Sequence, residues 1–313
     1  MDYGLPILFT MFVWWFSTGA ILYLVSLADR TYRWSLVGAT AVLIAGLYGV
    51  AATAGDTTVA GAYLAFACAL AVWGWVEMTY FMGLITGPRK EPCPPDCSAW
   101  RRFGLGIQAS LYHELAIIGF GLGIIALTWN APNQVGMWTF VILWTMRWSA
   151  KLNLFLGVPN LNEEFLPEHL RFLKTFIAKR RMNPLFPVSV TISTVIVWLL
   201  IDGMAGGTGV EIVAGTLLAT LLALAILEHW FMVLPLPDAA LWQWMLGDRD
   251  GTEKTPDGQI PSANNNADNR AGKPAQREHR HASVAAASKG ARLRPATALR
   301  PAEAELATLT NGR

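Results

Sequence analysis

Residues 144–158 read WTMRWSAKLNLFLGV. Their apolar side chains make this stretch one half of a membrane-spanning helix, yet it carries Arg147, Lys151 and Asn153. A basic side chain near the middle of a bilayer helix costs roughly 2.5–3.5 kcal/mol on insertion scales. Arg147 and Lys151 stand at i and i+4, so they share one helix face and repel each other. That face must meet acidic or polar groups on other helices, and the rest of the chain is read for them.

The 313 residues are 53% hydrophobic and 15% charged, against about 25% charged in an ordinary soluble domain. Mean hydropathy is +0.37. The many tryptophans near the ends of apolar runs suit the aromatic belts of a membrane protein. Cys68, Cys93 and Cys97 are too few for a disulfide framework. No nucleophile triad, phosphate loop or dinucleotide fingerprint stands out. No nucleic-acid partner is expected either, because anionic lipid accounts for the basic residues after Gly247. The composition predicts an all-α, polytopic membrane helix bundle.

A spanning helix needs about 20 mostly apolar residues. Stretches at 5–27, 34–54, 58–86, 104–129, 135–158, 186–201 and 210–234 qualify, giving about seven transmembrane helices, with six as the fallback. Asp2 precedes the first stretch and no Lys or Arg does, so it reads as a retained span and not as a cleaved signal. Basic residues then set the orientation. Arg30, Arg33, Arg89, Lys90, Arg101, Arg102, Arg171, Lys174, Lys179, Arg180 and Arg181 fall in alternate connections. The other connections, around Asp56, Asn133 and Asp202, hold none. The N-terminus is therefore expected outside and the C-terminus in the cytoplasm.

Outside the spans, the connection GPRKEPCPPDCSAWRRF is polar and Pro-rich. The spacing of its Cys93 and Cys97 is compatible with a metal or redox pair, but no second Cys pair exists to complete a zinc site, and plain reduced thiols are expected ahead of that reading. The segment EEFLPEHLRFLKTFIAKRRMN places Leu166, Leu170, Leu173 and Ile177 at helical spacing, which predicts an amphipathic helix on the membrane surface. LPLPDAALWQWML, with Trp242 and Trp244, reads as a short interfacial piece. These features divide the chain into a transmembrane helical domain, 1–246, and a disordered polar and basic tail, 247–313.

With that topology, the ionisable residues inside the spans fall at one depth. Glu77, His113, Glu114, Arg147, Glu228 and His229 cluster roughly 9–16 Å from the cytoplasmic interface at 1.5 Å per residue, with Lys151 and Asn153 alongside. Two readings stay open. Intramembrane charges usually pair with one another, which makes the layer a structural ion-pair network. Alternatively, carboxylates and imidazoles converging in a low-dielectric cavity form a ligand site. A transition metal, or a tetrapyrrole whose magnesium takes an axial imidazole, would then be held by candidates His113, Glu114, Glu228 and His229. No Glu-x-x-His spacing of di-iron bundles occurs there. Glu163, Glu164 and His169 in the fifth connection could cap such a site, or form a solvated helix N-terminus.

Several of these segments carry a family likeness. YHELA at 112–116, MRWSAKLNLFLGVPN at 146–160 and NPLFPVS at 183–189 resemble the PuhE-type photosynthetic complex assembly proteins. STG at 17–19, WGWVE at 73–77 and GPR at 87–89 agree, and the likeness covers approximately residues 1–246. It implies a multi-pass protein of the inner, cytoplasmic or intracytoplasmic, membrane of purple phototrophic bacteria. The gene would neighbour that of the reaction-centre H subunit. The implied role is assembly of the reaction-centre and light-harvesting complex, or bacteriochlorophyll supply. Implied partners are the lipid bilayer, reaction-centre or light-harvesting subunits and pigment-synthesis enzymes, with bacteriochlorophyll or a precursor as the implied ligand. The resemblance carries no catalytic residues. A non-enzymatic factor is therefore expected ahead of a membrane enzyme acting on a tetrapyrrole or lipid-soluble substrate.

Overall fold

Each apolar run becomes a helix close to the boundaries that hydropathy sets. The computed structural model describes residues 3–160 and 166–234, all within one unit, Met1–Lys254. The helices are α1, Gly4–Ser26; α2, Tyr32–Thr53; α3, Val59–Phe81; α4, Ala99–Leu127; α5, Val135–Leu156; α6, Leu185–Gly203; and α7, Gly209–Phe231. Side-chain caps fall where polar residues interrupt the runs. Thr58 accepts from Gly61 N, Ser98 from Arg101 N, and Thr208 forms a reciprocal capping box with Glu211.

Six of these helices, α1 to α4, α6 and α7, are long and apolar enough to cross a membrane, and the chain is a polytopic membrane helix bundle. The expected set of about seven spans thus becomes six apolar helices and α5. The charged half of α5 lowers its hydropathy, but its 22 residues still extend about 33 Å.

The bundle is built around α3, which packs on α1, α2, α4, α5 and α7. Leu43 and Val50 of α2, Val72 and Val76 of α3, Ile117 and Ile124 of α4 and Phe140 of α5 form one buried cluster. The reverse faces expose Leu8, Phe12, Val37, Ile44 and Ile192, as helices bathed in hydrocarbon should. Cys68 packs so tightly on Gly49 that a Cβ at that glycine has no space, which gives Cys68 the packing role its apolar neighbours suggest.

Three local features depart from the sequence expectations. First, α4 is kinked at Ser110 (φ −124°, ψ 15°) without a proline. The kink detaches the His113 amide from its own helix, and Thr86 O accepts it at 3.0 Å. The chain at Gly87 runs against the kink so closely that a Cβ there would meet Ala109 C at 2.7 Å and Ala109 O at 2.9 Å.

Second, the expected amphipathic α-helix of the fifth connection is a 3-10 helix, Glu168–Phe176, hereafter the strap. Leu170, Leu173 and Phe176 recur every third residue, the period that aligns side chains on one side of a 3-10 spiral. Leu170 and Phe176 are buried. Pro167 lies just before the helix, at its N-cap.

Third, Cys93 and Cys97 are joined in a disulfide, which corrects the expectation of reduced thiols. Pro94 O accepts the Cys97 amide at 3.3 Å, a turn that brings the two side chains together. Glu163, Glu164, the LPLPDAALWQWML piece after Leu234 and the tail 247–313 lie outside the described residues.

Candidate functional site

Helical spacing puts Glu77 and Tyr80 on one face of α3, and Arg147 and Lys151 on one face of α5. Past its kink, α4 delivers His113 and Glu114 between them. Arg147 Nη2 lies 3.0 Å from Glu77 Oε2, and Lys151 Nζ donates to Glu114 Oε1. The two bases that repel along α5 are thus matched to acids from two different helices. The acid side chains are 9% exposed and the bases 25%, so this is a largely desolvated network.

Tyr80 sits at the centre. Its ring centroid is 5.6 Å from Arg147 Cζ, 5.5 Å from Lys151 Nζ and 4.3 Å from the His113 ring. The ring face adds cation–π attraction for both bases. Sequence reading passed over Tyr80, although its position one turn after Glu77 was the available signal. His113 is fully buried, with Nε2 3.9 Å from Glu77 Oε1, and neither ring nitrogen has a hydrogen-bond partner. Glu77 Oε1, Glu114 Oε2 and Arg147 Nε are also buried without partners. Two tight pairs therefore coexist with reserve donor and acceptor capacity.

The remaining candidates disperse. Glu228 is solvent-accessible at the contact of α7 with α1, where Trp14 Nε1 donates to it at 2.8 Å, and its charge still couples to Arg147. His229 is buried, with Nε2 2.9 Å from Ser149 Oγ and Nδ1 2.8 Å from Ala225 O. Asn153 is fully buried and donates to Ser149 O at 2.9 Å. His169 lies on the strap, its Nε2 3.0 Å from Phe81 O.

Among the described residues, no three His, Cys, Asp or Glu side chains converge as a metal would require. An axial imidazole for a tetrapyrrole magnesium does not fit either. His113 is sealed in the packing, and both nitrogens of His229 are engaged.

A second set of motif residues locks the ends of α5 to α7 together. Asn183 Nδ2 donates to Asn153 O (3.2 Å) and Gly157 O (2.9 Å), while its Oδ1 accepts the amides of Leu185 and Phe186 at 3.0 Å. Gly157 has φ +117°, and a Cβ there would meet Arg180 Cγ at 2.7 Å. Asn160 takes part through its amide, which donates to Met232 O at 3.1 Å. Asn183 was visible in the sequence only as part of a motif, because a side-chain tie spanning 30 residues has no local signature.

Members of both ion pairs also line a half-open cavity of about 430 Å³ bordered by α3, α4, α5 and the strap. Tyr80, Glu114, Arg147 and Lys151 line it, together with Lys174 and mostly apolar residues.

An uncharacterized 30.4 kDa protein in the puhA 5′ region of Rhodobacter capsulatus is 44% identical over 257 residues, covering 80% of this chain and 94% of the relative. No solved structure matches. The family model described as a protein of unknown function, DUF3623, matches residues 1–253, and the chain belongs to that family.

Proposed function

We propose that this protein is an integral membrane assembly factor for the photosynthetic reaction-centre and light-harvesting complex, acting through the supply or handling of bacteriochlorophyll. The observation that carries this reading is the relative in the puhA 5′ region, 44% identical over nearly its whole length. The motifs that resemble those of PuhE-type proteins support it. They supply Glu77, Glu114, Arg147 and Lys151 of the ion-pair cluster and Asn153, Gly157, Asn160 and Asn183 of the lock. The charges of the cluster are matched in pairs across three helices, an arrangement suited to a holding role.

On this reading the protein resides in the bacterial inner membrane with its N-terminus outside, as its basic connections direct. Reaction-centre or light-harvesting subunits and pigment-synthesis enzymes are its partners. The test is deletion of the gene from its phototrophic host, followed by near-infrared absorption of the membranes and total pigment extraction. A fall in reaction-centre and light-harvesting bands, restored by the wild-type gene, is expected. Unchanged bands under phototrophic growth would overturn the reading.

A further inference from the structure

We propose that Cys93 and Cys97 form a thiol–disulfide exchange site, opened and re-formed by a protein dithiol, whose state sets how firmly the strap is held. The proposal rests on the cytoplasmic placement of the connection between α3 and α4, whose flanks carry Arg89, Lys90, Arg101 and Arg102. Dithiol pools keep ordinary thiols reduced on that side of a membrane. A disulfide found there is usually transient, catalytic or redox-sensing. The two cysteines are only half-buried, and Glu91, Pro92, Pro95 and Asp96 around them are exposed, so an attacking thiol can reach the pair. Their sequence separation is 4. So short a ring restrains little of the unfolded chain, and the bundle keeps its fold in both redox states.

The exchange balances. A thiolate of the reductant attacks one sulfur of the pair, the bond between Cys93 and Cys97 breaks, and a mixed disulfide forms. The reductant's second thiol then displaces the protein sulfur, leaving two cysteine thiols here and a disulfide in the reductant. Two electrons and two protons pass to this protein. The reverse exchange, with an oxidised partner of the same class, returns them.

The pair is tied directly to the strap. The Cys93 amide donates to Thr175 Oγ1 at 2.8 Å, and that hydroxyl donates to Phe172 O at 2.7 Å. While the disulfide is closed, the crosslink and the turn from Pro94 O to the Cys97 amide hold the Cys93 backbone in place for this contact. The strap is also held by buried Leu170 and Phe176 and by His169, whose Nε2 lies 3.0 Å from Phe81 O. Reduction therefore loosens the strap at Thr175 without releasing it. Leu173 and Phe176 of the strap border the half-open cavity, so a looser strap widens the way into that mostly apolar space.

The test uses full-length protein in detergent micelles. After incubation with thioredoxin, its reductase and NADPH, alkylation of the folded protein should label Cys93 and Cys97, read by peptide mass spectrometry. Incubation with oxidised thioredoxin should protect them again. Hydrogen exchange should then run about two- to tenfold faster in the strap amides of the reduced protein, the effect of losing roughly one hydrogen bond. Amides of α3 and α5 should be unchanged. The double variant Cys93→Ser with Cys97→Ser should match the reduced protein. Thr175→Val removes the tie and keeps the disulfide, so its oxidised form should already exchange at the faster rate and reduction should add nothing. A disulfide that thioredoxin opens only after unfolding would overturn the proposal, as would strap exchange that ignores the redox state. Placement is read separately, with a membrane-impermeant maleimide on reduced samples. Labelling of the pair in inverted vesicles but not in intact cells supports the cytoplasmic side, and labelling from outside the cell would refute the orientation and the exchange together. Failure of the assembly role would appear on its own, as unchanged absorption bands in the deletion strain.

Discussion

Removing Glu77 and Arg147 together should destabilise the bundle far less than the two single losses added. Arg147 Nη2 sits 3.0 Å from Glu77 Oε2. Unit charges at that distance attract by about 5.5 kcal/mol at an effective dielectric constant of 20, before either ion's desolvation is counted. Deleting one partner of a buried pair typically costs about 3–5 kcal/mol, because the other charge is left uncompensated. Arg147 is a quarter exposed and keeps the face of Tyr80, so the low end applies, about 3 kcal/mol. Arg147→Met should cost a similar amount by stranding Glu77 beside the sealed His113 ring. The double variant Glu77→Met with Arg147→Met should cost no more than either single change, a coupling of about 3 kcal/mol. Equilibrium unfolding in mixed micelles with rising SDS fraction would measure all three. Strictly additive losses, or singles indistinguishable from wild type, would refute the view of this pair as a desolvated, mutually dependent unit.

Further outcomes follow from single contacts. Gly87→Ala should lower stability by about 1–3 kcal/mol, because its Cβ meets backbone atoms of Ala109 that cannot swing away. Gly104→Ala, with nothing within 4 Å of the added carbon, is the control in the same thermal melt. Asn183→Ala removes four hydrogen bonds joining α5 to α6 and should cost about 2–4 kcal/mol, measured by the same unfolding assay. In the connection between α2 and α3, the Thr58 amide donates to Asp56 at 2.8 Å and holds that carboxyl below the usual carboxylate range. A lowered folded value stabilises above the unfolded pKa of about 3.9 and is lost as pH falls through the lower folded value. Melts from pH 6 downward should show a component of acid sensitivity that Asp56→Asn lacks.

Much of the architecture was legible because bilayer physics acts locally. A run of about 20 apolar residues closes its own backbone hydrogen bonds, so composition and length suffice to place a helix. The observed ends of α1, α2, α5 and α7 lie within a few residues of the expected ones. The charges inside the apolar runs were equally visible, since an ionised group in hydrocarbon demands a partner whatever the fold. The kink at Ser110 was not legible. Serine occurs in many straight helices, and this bend depends on Thr86 O capturing the His113 amide from a different segment. The strap was misread because its three-residue and four-residue spacings overlap over so short a stretch.

The opening stretch divides the same way. By itself the sequence determined that residues 144–158 form a helix whose Arg147 and Lys151 need acidic partners, because the cost of a lone buried charge holds in any fold. Only the tertiary structure decided which acids those are. Glu77 of α3 takes Arg147 and Glu114 of α4 takes Lys151, while Glu228, at similar depth, turns outward to Trp14. Depth along a helix is a one-dimensional quantity that sequence supplies. The angle at which each helix presents its side chains depends on packing around α3 and on the kink in α4. That angle decides which acids pair with the two bases and which turns to Trp14.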